Sequence, residues 1–250
     1  MKAMILGCGP AGLLAAHACS LKGIDVEIYS IEKPSKIYGA QFLQQAIPDI
    51  TDGEPDGHIV FNKVGTRQGY ATKVYGRPDA PCSWDEYEEG LQPAWHLRSV
   101  YDDLWTLYSR YITDLELNSA ILTSLEERQD VDFRFSAVPA QVICWDHAVH
   151  KFDYKRVWAT ETPAVHLDDN VIVYSGREQD SWYRTSNLFG HYSTEWSHQI
   201  GGAKTGIKPL STNCNCRPMW QRIGRFGRWK RGVLVHDAFN DVIGAIGGLK

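Results

Sequence analysis

No apolar run in this chain reaches the length of a membrane-spanning helix. There is no G-x-S-x-G, no H-E-x-x-H and no P-loop, which argues against hydrolase, zinc-protease and kinase chemistry. Cys214 and Cys216 form a C-x-C with no C-x-x-C elsewhere. Redox pairs commonly use wider spacing, and a zinc site would need Cys82 and a histidine from elsewhere. The pair therefore reads as two buried thiols, and no metal is expected. A strand predicted from residue 2 leaves no room for a signal peptide ahead of it. The expectation is a cytoplasmic protein with reduced cysteines. A net charge of −4 gives the whole chain no attraction for nucleic acid or for an anionic membrane.

Acidic residues are absent from residues 197–236, while Lys204, Lys208, Arg217, Arg222, Arg225, Arg228, Lys230 and Arg231 fall within them. Gly224, Gly227 and Gly232 are interleaved with these cations and would expose backbone N–H groups. The pattern reads as a phosphate-binding stretch, for a cofactor pyrophosphate, a nucleotide-like substrate or nucleic acid. A solvated basic face is the plainer alternative.

The strongest positive signal lies at the N-terminus. Residues 3–6 are an apolar run of strand length, and Gly7, Gly9 and Gly12 follow at G-x-G-x-x-G spacing. Helix formers occupy residues 13–21, Gly23 stops them, and Val26, Ile28 and Tyr29 begin a second strand. Strand, glycine turn, helix and strand in about thirty residues predict a dinucleotide-binding unit. Gly7 permits the turn, Gly9 lets a pyrophosphate approach the backbone, and Gly12 lets the helix pack closely. Pro10 and Ala11 complete the turn, and the phosphates would meet the helix N-terminus. The acidic residue that usually ends the second strand is replaced by Ser30, with Glu32 two residues on. Either one is the candidate for the ribose. The fold class expected is α/β, a Rossmann-like FAD/NAD(P)-binding fold, with a parallel sheet and a small antiparallel β insert. A single domain over 1–250 is expected, with substrate-side insertions around 47–95 and 145–200.

Gly39 and Gln41 lie in a loop after the second strand that is a candidate to run past a flavin ring. Residues 47–84 are rich in Gly, Pro and Asp and read as hairpins and loops. Residues 95–112 and 119–129 carry helical periodicity, residues 132–144 a strand and a Pro139 turn, and 156–159 and 170–174 further strands. Residues 232–246 read as a closing helix, whose N-terminus is a second candidate anion site.

The stretches GCGPAGLLAAHACSLKG and GRFGRWKRGVLVHDAFNDVI resemble FAD-binding proteins of the amine oxidase and UDP-galactopyranose mutase class. That resemblance implies that Gly224, Arg225, Gly227 and Trp229 lie against the flavin and its pyrophosphate. It also implies that Arg184 stands near the flavin. SIEKPSKIYGAQFLQQAIP, SWYRTSNLFGHYSTEW and KPLSTNCNCRP resemble short FAD-dependent oxidoreductase-like proteins encoded by actinobacterial viruses. That likeness implies a phage protein in the host cytoplasm. Arg184 and His191 are the candidate catalytic residues, with His236 a further proton-transfer candidate. Three functions are carried forward. The first is a flavoenzyme on a small or nucleotide-linked substrate, with NAD(P)H a candidate reductant. The second is a flavoenzyme on a base in DNA or RNA, reached through residues 204–231. The third is a non-catalytic dinucleotide-binding protein.

Overall fold

The computed structural model describes residues 1–30, 37, 41–51 and 53–247. Its strands and helices run β1 (Lys2–Leu6), α1 (Pro10–Ser20), β2 (Asp25–Ser30), β3 (Gly57–Gly65), α2 (Arg67–Tyr75), β4 (Gly90–Ala94) and α3 (Leu97–Tyr108). There follow β5 (Ile112–Asp114), α4 (Ser119–Glu126), β6 (Phe133–Ser136), β7 (Phe152–Thr160), β8 (Val171–Gly176), β9 (Arg184–Leu188) and β10 (His191–Trp196). The last elements are β11 (Lys204–Thr212), β12 (Gln221–Arg222), α5 (Gly224–Arg228) and α6 (Asp237–Gly247). Among the described residues, no helix is long and apolar enough to cross a membrane.

Two compact units emerge. One comprises Met1–Ser35, Arg98–Asp153 and Pro209–Lys250. It contains a five-stranded sheet in the order β12-β6-β1-β2-β5, with every neighbouring pair parallel. β1 is central and all but closed to solvent, as expected of an apolar run in a parallel sheet. Met4 and Leu6 of β1 pack with Leu122, Leu125, Val131, Ile143 and Trp220 in one core. α1 is lined with buried Leu, Ala and Cys side chains, so the predicted strand–turn–helix–strand unit is present.

The other unit comprises Lys36–Leu97 and Tyr154–Lys208. Its strands belong to a seven-stranded sheet, β11-β7-β10-β9-β8-β3-β4. That sheet is more extensive than a small insert and is mixed: β3 and β8 pair in parallel, while β3–β4, β8–β9, β9–β10 and β7–β10 are antiparallel. Its core joins Ile59, Phe61, Tyr70, Val74, Tyr174 and Tyr183.

Two sequence expectations need correction. Residues 47–84 contain a helix, α2, where only hairpins and loops are expected. Thr66 caps it by accepting the Gly69 N–H, Gly76 closes it at φ +73°, and Tyr70, Ala71 and Val74 form its buried face. The closing helix begins at Asp237 rather than at 232. Asp237 Oδ2 accepts the Leu234 N–H at 2.7 Å, so the chain's own carboxylate sits where an anion was expected.

Candidate functional site

The glycine turn between β1 and α1 has the geometry its spacing predicts. Gly7 lies at φ +96°, a conformation that suits glycine, and its N–H donates to the Tyr29 carbonyl at 2.8 Å. A Cβ on Gly12 would lie 1.8 Å from the Gly7 carbonyl oxygen, so α1 rests directly on the turn. Gly9 differs from both. Its φ of −67° is open to any residue, and a Cβ there would meet nothing within 4 Å. Among the described residues, nothing fills the space over Gly9.

The helix end facing that space is unguarded. Gly9 is the N-cap of α1 and makes no side-chain capping bond, Pro10 opens the helix, and no acidic residue stands in the first turn. By contrast α2 is capped by Thr66, α4 by Asn118, and the approach to α6 by Asp237. An uncapped helix of eleven residues keeps unsatisfied N–H donors and the positive end of its dipole available to an anion.

Distant segments hold the turn in place. The Tyr101 hydroxyl on α3 donates to the Cys8 carbonyl at 3.1 Å. The aromatic stripe of α3 reads from the sequence only as core, so Tyr101 was missed. Ser30, at the end of β2, accepts the Cys8 N–H on its hydroxyl at 3.4 Å, which places its side chain at the turn. Val138 and Ala137, just past β6, line the far sides of Gly7 and Gly12. Glu32 and Gly39 lie outside the described residues. Gln41 is half-buried in the other unit.

The C-terminal segment also reaches the turn. A Cβ on Gly224, itself at φ +65°, would lie 2.7 Å from the Ala11 Cβ. Gly227 lies over the end of β6, where a Cβ would come 2.3 Å from the Ser136 carbonyl. The half-buried Arg225 donates from Nε to the Val233 carbonyl at 3.2 Å. Trp229 needs correction as a cofactor residue. It is fully buried, its indole N–H donates to the Asp153 carbonyl at 2.9 Å, and Phe152 and Phe226 meet it edge-on. No face of it is left for a ligand.

Arg184 and His191 are not brought together. Phe189 and Gly190, both at positive φ, make a two-residue turn of the kind that suits a twisted hairpin, and Asn170 steadies it by accepting the Phe189 N–H. The register then pairs Arg184 with Glu195 at one end and Leu188 with His191 at the other. Four residues of strand separate them, about 13 Å. Arg184 bonds Glu195 Oε1, and Lys208 Nζ reaches Glu195 Oε2 at 2.5 Å. Burial alone would raise the pKa of Glu195, but the Arg184 and Lys208 charges outweigh it and hold it at about 2. Arg184 is thus one arm of an ion triad built around the buried Glu195 carboxylate. His191 is exposed and stacks with His96 at 5.8 Å. His236 is buried, and burial lowers its pKa, which favours the neutral ring.

Much of the basic stretch is engaged internally. Lys208 binds Glu195, Arg217 binds Glu126, Arg222 binds the Cys214 and Cys216 carbonyls, Arg225 binds Val233, and Arg228 binds Asp241. A cavity of about 430 Å³ lined by Lys2, Gly23, Asp25 and Glu27 lies at the amino ends of β1 and β2. Ligands of open parallel sheets sit beyond the carboxyl ends, where the glycine turn is, so this cavity is not the nucleotide site.

No family model and no curated protein matches the chain. Solved structures do. A flavoprotein/dehydrogenase from Cytophaga hutchinsonii is 12% identical with a TM-score of 0.56, over 100% of this chain and 80% of that one. HpxO of Klebsiella pneumoniae, solved with FAD, is 12% identical with a TM-score of 0.53, over 100% and 82%. A 2-methyl-3-hydroxypyridine-5-carboxylic acid oxygenase is 13% identical with a TM-score of 0.52, over 98% and 86%. At these identities the likeness establishes the fold alone: a mixed α/β architecture, with one parallel sheet and a second, mixed sheet.

Proposed function

We propose that this chain is an FAD-dependent oxidoreductase-like flavoprotein acting on a small or nucleotide-linked substrate. The observation that carries the reading is the uncapped N-terminus of α1 beside the open space at Gly9. A dinucleotide pyrophosphate fits such a cradle, because its charge meets the helix dipole and its oxygens meet free N–H donors. Ser30 or Glu32 is assigned to the ribose, and Gly224 with Arg225 to the C-terminal side of the cofactor. The resemblance of both chain ends to the amine oxidase and mutase class supports that second assignment. When bound, FAD supplies the electron-transfer chemistry, and the chain supplies binding and orientation. NAD(P)H is the reductant we assign.

Oxygenation and halogenation are the reaction classes that the neighbours' names suggest, since one is an oxygenase and another is the flavin-dependent brominase Bmp2. A nucleobase substrate is less well supported, because cations of the basic stretch have partners within the fold. The separation of Arg184 from His191 favours a second reading, a dinucleotide-binding protein without catalysis. Titrating FAD into the apo-protein, then following flavin bleaching by NADPH, tests both. Binding with bleaching supports the enzyme, and binding without reduction by any nicotinamide supports the second reading. Absence of FAD binding refutes the cofactor assignment.

A further inference from the structure

Four soft ligands converge far from one another in sequence. Cys144 and His150 lie in the turns between β6 and β7, and Cys214 and Cys216 in the irregular segment before β12. Their ligand atoms all fall within 4.8 Å of one another. Cys144 Sγ stands 3.4 Å from His150 Nδ1 and 3.9 Å from Cys216 Sγ, and Cys216 Sγ stands 3.5 Å from His150 Nδ1. A tetrahedral zinc with bonds of about 2.3 Å to sulfur and about 2.0–2.1 Å to nitrogen has edges of roughly 3.8 Å between sulfurs and roughly 3.5 Å from sulfur to nitrogen. The three separations above match those edges. The 3.9 Å between the Cys144 and Cys216 sulfurs also exceeds by far the roughly 2.05 Å of a disulfide.

We infer that Cys144, His150, Cys214 and Cys216 form a structural zinc site. Four protein ligands close the coordination sphere, and thiolate with imidazole is the donor set zinc favours. The three cysteines are buried and His150 is half-buried, so water is largely kept from the sulfurs. The surroundings suit the charge. Three thiolates with Zn²⁺ carry one net negative charge, and the Arg222 guanidinium stands 3.2 Å from Cys214 Sγ. The same guanidinium donates to the Cys214 and Cys216 carbonyls at 2.6 and 3.0 Å, which fixes the C-x-C segment. Such outer contacts are the usual support of metal ligands. The ligand segments are already aligned: Asn213 Oδ1 accepts the Lys151 N–H at 2.7 Å, and the Thr212 hydroxyl donates to the Lys151 carbonyl at 2.8 Å. Zinc would staple these segments, which have little regular structure of their own.

The sequence alone pointed away from this site. It reads Cys214 and Cys216 as two buried thiols with no metal, and Cys82, the cysteine a zinc site would need, lies instead against Asp85.

The test uses the reduced full chain and metal alone. Metal analysis after purification with zinc in the medium should find about one zinc per chain. Replacing it with cobalt(II) should produce the intense visible bands of a tetrahedral thiolate site. His150→Ala, at the least buried ligand, should weaken zinc binding about a hundredfold or more, and Arg222→Leu about ten- to a hundredfold. Because these variants could also disturb folding, zinc should protect the wild-type thiols from alkylation, a readout that needs no substitution. A reduced wild-type chain that takes up no zinc, or whose cysteines alkylate at the same rate with and without it, overturns the inference.

Discussion

Gly9 and Gly12 lie three residues apart, yet the structure gives them opposite roles, and alanine at each separates them. At Gly12 a Cβ would stand 1.8 Å from the Gly7 carbonyl oxygen and 2.8 Å from its carbon. Both are backbone atoms in a turn held on several sides, so α1 must move by more than an ångström. Overpacking of that kind costs about 3 kcal/mol. With a urea dependence of about 2–3 kcal/mol per molar, the midpoint should fall by about 1 M or more. At Gly9 the backbone is in an ordinary conformation and the Cβ meets nothing within 4 Å. Only the preference of an N-cap for glycine over alanine is lost, about 0.5 kcal/mol. The same methyl would occupy the space assigned to the pyrophosphate. Losing a charge-assisted bond there costs about 1.5–3 kcal/mol, a ten- to about a hundredfold loss of FAD affinity. Urea unfolding of the apo-proteins and FAD titration read the two effects separately. Gly9→Ala binding FAD like the wild type would refute the cradle. Gly9→Ala unfolding as early as Gly12→Ala would refute the claim that Gly9 faces open space.

Glu195→Gln should leave Arg184 and Lys208 without their anion and destabilise the chain by about 3–5 kcal/mol at neutral pH. The ordinary value of 4.5 is lowered to about 2 in the fold, so the ionised carboxylate contributes about 3 kcal/mol that is complete above pH 4.5 and lost as pH falls toward 2. The deficit of the variant should therefore shrink between pH 4.5 and pH 2, and equal acid sensitivity in both proteins would refute the triad. Arg225→Ala should lower FAD or substrate affinity about tenfold while moving the unfolding midpoint little, because its guanidinium holds the Val233 carbonyl by a hydrogen bond of 3.2 Å, worth only about 1 kcal/mol to the fold. Unchanged binding of both ligands would return residues 224–231 to a solvated basic face.

The sequence was most legible where its signal is local. Gly7, Gly9 and Gly12 sit within one turn, and α3 has an apolar repeat long enough to be read. α2 was missed because it spans nine residues and only Tyr70, Ala71 and Val74 mark its buried face, amid turn-forming neighbours. The Arg184–Glu195 pair could have been found. A two-residue turn at Phe189 and Gly190 fixes the register, and counting outward from it places the two side chains opposite each other. The cluster of Cys144, His150, Cys214 and Cys216 had no such signal. Cys144 and Cys216 are 72 residues apart, and no spacing rule joins a cysteine in one turn region to a C-x-C that lies beyond β7, β8, β9, β10 and β11.

The glycine turn shows why a motif alone underdetermines a site. Its six-residue spacing supplies a helix N-terminus and the freedom to bend, but not the position of that terminus. Tyr101 fixes the Cys8 carbonyl from 93 residues away, Ser30 takes the Cys8 N–H, and Gly224 brings the C-terminal segment against Ala11. Each contact comes from a different element, and each acts on the two or three peptide units whose N–H groups would meet an anion. A loose turn would have to be ordered on binding, at about 1–2 kcal/mol per residue, whereas this one is ordered by the fold. The geometry of the turn is therefore a property of the whole unit, and a substitution at Tyr101 acts on it from a distance, through the Cys8 carbonyl.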